Sequence, residues 1–281
     1  GVTAGPNGTV YVVDTQNHKI KLLTPRVSEP AAAPIISAGG VISASGFGAF
    51  TQAAPGSWVE IYGSNFAGAT REWTATDFVN GRAPGSLGGA SVTIGGQPAP
   101  ISYISAGQIN VQVPTGIGTG PQIVEVKTAA GTATSVLTVN AAQPGLLAPV
   151  SLRINNRSYA GALFTDGTTL VMPEGASLGF AARPAKPGDI LTLYGVGFGA
   201  VTPDVAAGQI PGRQTALAQS LKIYFGETEA QVMYAGLAPG LVGVYQFNLV
   251  VPNVAPNSAL PLRITLGGQP STQNLVIAVT N

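Results

Sequence analysis

Apolar and polar positions alternate along this chain in short runs, and two of those runs say nearly the same thing. In Trp58–Tyr62, Val59 and Ile61 alternate with Trp58, Glu60 and Tyr62, and in Ile190–Tyr194, Leu191 and Leu193 alternate with Ile190, Thr192 and Tyr194. Period-two alternation marks a strand with one buried face, which assigns Val59, Ile61, Leu191 and Leu193 to cores. Each run follows a Pro-Gly turn and is closed by a glycine, Gly63 or Gly195, which predicts a bend or close backbone packing there. Phe66 and Phe198 are then expected to fold back over a sheet edge.

The repetition extends further. Gly95 answers to Gly226, Tyr103 to Tyr234, and Gln108-Ile109-Asn110 to Gln246-Phe247-Asn248. The interval from Gly226 to Asn248 exceeds that from Gly95 to Asn110 by seven residues (22 against 15), which places an insertion within "GLAPGLVGVY". Both copies end in strand pairs, Gln122–Asn140 and Pro261–Asn281, each broken by a Gly-containing turn. A unit of this size, built of short strands with regular turn signals, predicts an all-β chain of two tandem β-sandwiches, residues 35–142 and 143–281. Residues 141–184 do not repeat. They form either an elaborate linker or the first strands of the second sandwich, and the apolar "SYAGALFTDG" favours the latter. At the start, Thr9–Val13 and Lys19–Leu23 flank the polar turn Asp14–His18 and predict a short N-terminal hairpin within residues 1–25, followed by a Pro- and Ala-rich linker over 26–34. A lone hairpin is marginal in water, which points to a packing partner or a larger upstream domain.

Composition narrows the function classes. Charged residues are 9% of the 281, while 38 Gly and 22 Pro disfavour long helices. A hydrophobic content of 45% argues for buried cores rather than disorder. A net charge of +1 with no Lys/Arg run gives no electrostatic footprint for nucleic acid. With no cysteine there is neither disulfide nor thiolate chemistry, and no apolar run approaches the roughly 20 residues of a spanning helix. "GVTAGPNGTV" has neither the basic nor the apolar region of a signal peptide, so in a secreted protein the signal lies upstream of residue 1.

Candidate chemistry is sparse. His18 is the only histidine and sits in a turn beside Asp14, where a structural role is expected. Glu227 and Glu229 have the same-face spacing of a carboxylate pair, yet Gln97 and Ala99 stand at the matching positions of the first copy, and a solvated strand or turn is the expectation. Asp166 and Asp189 stand outside any Asp-rich loop and read as turn and cap residues. The Gly-rich "GVGFGA" lacks a P-loop lysine and reads as a β-bend. No catalytic residue, metal or cofactor is expected. Aromatic side chains offer the one ligand signal: Trp58 and Trp73, with Tyr62 and Tyr194, are the candidates for stacking on sugar rings.

Two resemblances add to this reading. "NGTVYVVDTQNHKIKLLTP" resembles a single NHL repeat, which implies a β-propeller before residue 1. "PGSWVEIYGSNF", "GSLGGASVTIGGQPAPISYISAGQINVQVP", "KPGDILTLYGVGFGAVTP" and "YAGLAPGLVGVYQFNLVVP" resemble the uncharacterised C-terminal region of secreted acidobacterial proteins, itself similar to IPT/TIG immunoglobulin-like domains. The second copy departs from that pattern with "GVGF" for "GSNF", so any role of Ser64 and Asn65 does not carry over to it. The resemblance implies an extracellular, immunoglobulin-like tandem and supplies no catalytic residues. The resulting expectation is a non-enzymatic extracellular protein that presents sandwich surfaces for adhesion or self-assembly. A filament joined by N-terminal strand addition through Val10, Val12, Ile20 and Leu22 is the specific form, with protein partners; the alternative is a carbohydrate-binding module for a polysaccharide, using Trp73 and Trp58.

Overall fold

The computed structural model describes residues 1–6, 9–23, 32–44, 50–176 and 179–281, and among them there is no α-helix. Most of the expected linker, residues 26–31 of 26–34, lies outside the described residues. The chain divides into two compact units, residues 1–32 and 33–281.

The first unit is a three-stranded antiparallel sheet rather than a hairpin. Val2–Ala4 adds to Val10–Asp14, which pairs on its other side with Lys19–Leu23. The sequence hides the extra strand because it is only three residues long and shows no alternation. Asp14 ties the Thr15–His18 turn, accepting from the backbone N–H of Asn17 at 3.3 Å and its Nδ2 at 3.0 Å, and pairing with Lys21 at 3.1 Å. His18 contributes a left-handed backbone, φ 52°.

The second unit holds two immunoglobulin-like sandwiches. In the first, one sheet runs Ile35–Ser43, Trp58–Ser64, Gln108–Gln112, Ile101–Ile104, Arg71–Glu72 in spatial order, and the other has Ala90–Ile94, Gly120–Thr128 and Gly131–Val139 at its centre. Gly120–Thr128 and Gly131–Val139 pair residue for residue, which is the predicted terminal hairpin. Val59, Ile61, Ile109, Val111, Val124, Val126 and Leu137 are fully buried between the sheets. Each such side chain contributes about 1.5–3 kcal/mol of hydrophobic stabilisation. In the second sandwich Ile190–Val196, Tyr245–Val250 and Gln231–Leu237 lie side by side facing Leu221–Phe225 and Asn257–Leu266, over a core that includes Leu191, Leu193, Phe225, Phe247 and Leu249.

The repeated phrase has a physical cause. A β-carbon on Gly63 would overlap the Ile35 carbonyl oxygen and meet the Phe66 ring at 2.5 Å, and one on Gly195 would meet the Phe198 ring at 2.6 Å and the Gly145 carbonyl oxygen at 2.7 Å. Each glycine is therefore the floor on which a buried phenylalanine closes the sandwich end. "GSNF" and "GVGF" are the same turn in different residues: Asn65 has φ 61° and Gly197 has φ 80°, and asparagine and glycine are the residues that best tolerate that region.

Residues 141–184 hold the opening strands of the second sandwich. In the first sandwich a single strand crosses Trp58–Ser64, pairing Ile36 with Gly63 and, past an irregularity, Val41 with Ile61. In the second the same edge comes in two pieces, Leu146 against Gly195 and Ala162 against Leu193. The intervening residues add a small apolar cluster around Leu152, Tyr159, Met172, Ala259 and Ala278.

Candidate functional site

Along Trp58–Ser64 the side chains that do not face the core are Trp58, Glu60 and Tyr62, and their partners on the next strand are Gln112, Asn110 and Gln108. Three rows therefore line the outer face of this sheet, and they meet different fates.

The lowest row, Trp58–Gln112, is buried by the second sandwich. The Trp58 indole N–H donates to the Val242 carbonyl at 2.7 Å. The Gln112 amide is bonded at both ends, donating to the Gly56 carbonyl at 2.8 Å and accepting from the Gly208 N–H at 2.6 Å. Around Trp58 pack Val196 and Val242 from the second sandwich and Trp73 and Phe78 from the first. Backbone pairing extends the junction: Ala83 N–H donates to the Gly208 carbonyl at 2.8 Å, and Arg82 bridges Gln209. A cavity of about 180 Å³ remains, lined by Gln112, Thr115, Asp204 and Tyr245 among others. Val242 and Gly243 belong to the seven-residue insertion, so the insertion meets the first sandwich alongside Val196 and Gly208-Gln209.

The upper rows stay open and recur in both copies. Gln108 Nε2 donates to Asn110 Oδ1 at 2.8 Å, and Gln246 Nε2 donates to Asn248 Oδ1 at 3.0 Å. Tyr103 sits opposite Asn110 and Tyr234 opposite Asn248, each just after a register shift. The two upper rows differ between the copies at one position. Glu60 accepts from the Tyr62 hydroxyl at 2.6 Å, whereas Thr192, its counterpart, donates to Asn248 Oδ1 at 3.2 Å. Burial, and then the Glu60 carboxylate, push the Tyr62 hydroxyl up to about 12.

The residues with candidate roles each have a definite place. Trp58 is buried in the junction, and Trp73 is half-buried edge-on against it, centroids 5.5 Å apart, and 5.0 Å from Phe78. Val10 and Val12 lie half-buried in the central strand of the N-terminal sheet, while Ile20 and Leu22 are exposed on its outer strand. Glu227 and Glu229 are held apart, by Arg263 at 2.5 Å and Lys222 at 2.9 Å. Asp166 caps its turn: the Thr169 hydroxyl and the N–H groups of Thr168 and Thr169 hold it down to about 2. Asp189 accepts from Lys186 N–H and Arg183. Among the described residues no group of three or more His, Cys, Asp or Glu is placed to hold a metal, and no helix is long and apolar enough to cross a membrane. In the sequence the Gln-x-Asn triplets stand only as markers of the repeat; that their amides face outward follows from strand register.

Residues 48–170 match the family model of the IPT/TIG domain, from the approach to the Trp58–Ser64 strand into the opening strands of the second sandwich. No curated protein sequence matches the chain. Similar solved structures include SGBP-B of the Bacteroides ovatus mixed-linkage glucan utilization locus in complex with a mixed-linkage heptasaccharide, at 12% identity over 97% of this chain and 51% of that one, TM-score 0.37. The full extracellular region of plexin A4 is 12% identical over 99% of this chain and 21% of that one, TM-score 0.27. The I9–I11 tandem of titin is 10% identical over 99% of this chain and 84% of that one, TM-score 0.24. This chain thus spans about half the length of SGBP-B and about a fifth of plexin A4. At these distances the neighbours have no bearing on what this chain binds.

Proposed function

We propose that this is a non-catalytic extracellular interaction protein, whose two docked sandwiches act as one rigid body that presents surfaces for adhesion or assembly. The observation that supports it is the junction. Trp58 and Gln112 commit their polar side-chain groups across it or beneath it, and Gln112, 3% exposed, has both ends of its amide bonded. Removing either side chain leaves buried partners unpaired, so bending at this point is unfavourable. A fixed angle sets which faces point outward together, which is what a presenting module requires. Negative-stain electron microscopy with light scattering on the purified chain tests the reading. Particles of one bent or straight shape, or ordered assemblies of such particles, are expected; a broad spread of inter-sandwich angles would rule out the rigid body.

A second reading, a filament joined by N-terminal strand addition, draws on the first unit. Val2, Ile20, Leu22 and Leu23 are each more than half exposed, and among the described residues Val2–Ala4 and Lys19–Leu23 each pair along one side only. Unpaired apolar edges of this kind recruit another strand. The edge strands carry that role, with Ile20 and Leu22 on the recruiting strand and Val10 and Val12 behind it. Deleting residues 1–30 is expected to abolish any higher-order assembly of the intact chain. Assembly that persists in the deletion rules this version out.

A further inference from the structure

The outer face of the second sandwich carries a cavity of about 440 Å³, a size suited to a small ligand, above Gln246 and Asn248. From it we infer a binding site for an acidic saccharide, held by the carboxylate and hydroxyls of a uronic acid unit; this goes beyond the presenting role, which stands with or without it.

The floor is built from a repeated feature and then specialised. Gln246 Nε2 and the Thr192 hydroxyl both donate to Asn248 Oδ1, which fixes the orientation of both amides. Asn248 Nδ2 and Gln246 Oε1 are then left without a protein partner among the described residues: a donor and an acceptor side by side. Vicinal hydroxyls, each of which donates and accepts, are the complement of that pair. The Tyr234 hydroxyl donates to the Leu237 carbonyl at 2.7 Å, which pins its ring at the cavity wall, and Pro239 adds a second apolar surface. Arg213 and Gln214 also line the cavity. Arg213 is exposed, forms no salt bridge among the described residues, and no acidic side chain lines the cavity. An unpaired guanidinium beside hydroxyl-matching amides fits a carboxylate in bidentate geometry on a hydroxylated ring.

The first copy serves as an internal control. Gly81-Arg82 precedes Gly95 at the same distance as Gly212-Arg213 precedes Gly226, so Arg82 is the counterpart of Arg213. The Arg82 backbone, however, bridges Gln209 at the junction, and the pocket that its exposed side chain lines holds Asp77 and neither Gln108 nor Asn110. The first copy also places Glu60 where the second has Thr192, and that carboxylate opposes an anion.

Calorimetric titration of the full chain with tetragalacturonate and with its methyl ester, which keeps the hydroxyls and removes the charge, tests the inference. The acid is expected to bind at least about tenfold more tightly than the ester, with the advantage shrinking at high salt. Arg213→Ala should erase that advantage, Asn248→Ala should weaken both ligands, and Asn110→Ala in the first copy should change neither. Arg213→Glu, an exposed change that spares the fold, should abolish acid binding. No binding of the acid by the unaltered chain, equal binding of acid and ester, or equal effects of Asn110→Ala and Asn248→Ala would each overturn the assignment.

Discussion

The two sandwiches share a register but use it differently. Trp58–Gln112 in the first and Ile190–Val250 in the second are the same cross-strand row on the same outer face. Trp58 is 9% exposed and pressed into a junction, while Ile190 is 41% exposed. The difference lies in what each side chain can do at a dry interface. Tryptophan brings a large apolar surface and one donor, and glutamine a donor and an acceptor, whereas isoleucine and valine bring area alone. Inward-facing positions kept their character through the duplication because each core needs them, while the outward face diverged in its lowest row and at Glu60 against Thr192. Specific function is therefore to be sought in the outward rows and in the insertions that cover them.

The largest expected effects test the shared part. Phe66→Ala and Phe198→Ala each empty the end of a core and should cost about 3–5 kcal/mol in urea unfolding. Phe198 also meets the rings of Phe247 at 4.4 Å and Tyr245 at 5.5 Å, so its loss should exceed that of Phe66 by about 0.5–1.5 kcal/mol. Identical losses would mean that the aromatic cluster of the second core adds nothing beyond the area it buries.

How much of this was legible in the sequence follows the same division. Val59, Ile61, Leu191 and Leu193 were readable as core because alternation reports directly which side of a sheet is buried. Gly63 and Gly195 were readable because a glycine that closes a strand marks a place where a β-carbon has no room. Trp58 was not. It alternates with the core residues and so reads as outward, which it is, but alternation says nothing about a second sandwich covering that face. The seven-residue insertion was visible as a shift in spacing, yet its part in the junction depends on which loop lies opposite Trp58. The amide pairs of the candidate site were visible only as matching letters. Their bond to each other needs only two amides two apart on one strand, but the bond to Thr192 depends on cross-strand register, which a single sequence does not encode locally.

The junction gives effects of middle size. Trp58→Ala should destabilise by about 3 kcal/mol, since it opens a cavity and orphans the Val242 carbonyl, while Ile190→Ala should stay within about 0.5 kcal/mol. Gln112→Ala should fall between them, at about 1–3 kcal/mol, because the Gly56 carbonyl and the Gly208 N–H both lose a buried partner. Small-angle scattering of the Trp58 variant is expected to show an increased maximum dimension. Equal costs for Trp58→Ala and Ile190→Ala, with no change in scattering, would mean the two rows are energetically alike and the junction is mere proximity.

The smallest expected effect separates the two outer faces by their chemistry. Tyr62 ordinarily would ionise near 10, and in the fold it is pushed up to about 12, first by burial and then by its hydrogen bond to Glu60 and the charge of that carboxylate. The folded state therefore holds the phenolic proton more tightly than the unfolded state does. Its contribution to stability is complete below pH 10 and is lost as pH rises through about 12. Because Tyr62 is 37% exposed, solvent screening keeps that contribution small. Glu60→Thr gives the first face the residue that the second carries, and should lower the pH at which the Tyr62 phenolate absorbance appears while leaving the burial component in place. A titration curve unmoved by Glu60→Thr would mean that burial alone raises Tyr62, and that the carboxylate distinguishing the two faces exerts no field on the tyrosine next to it.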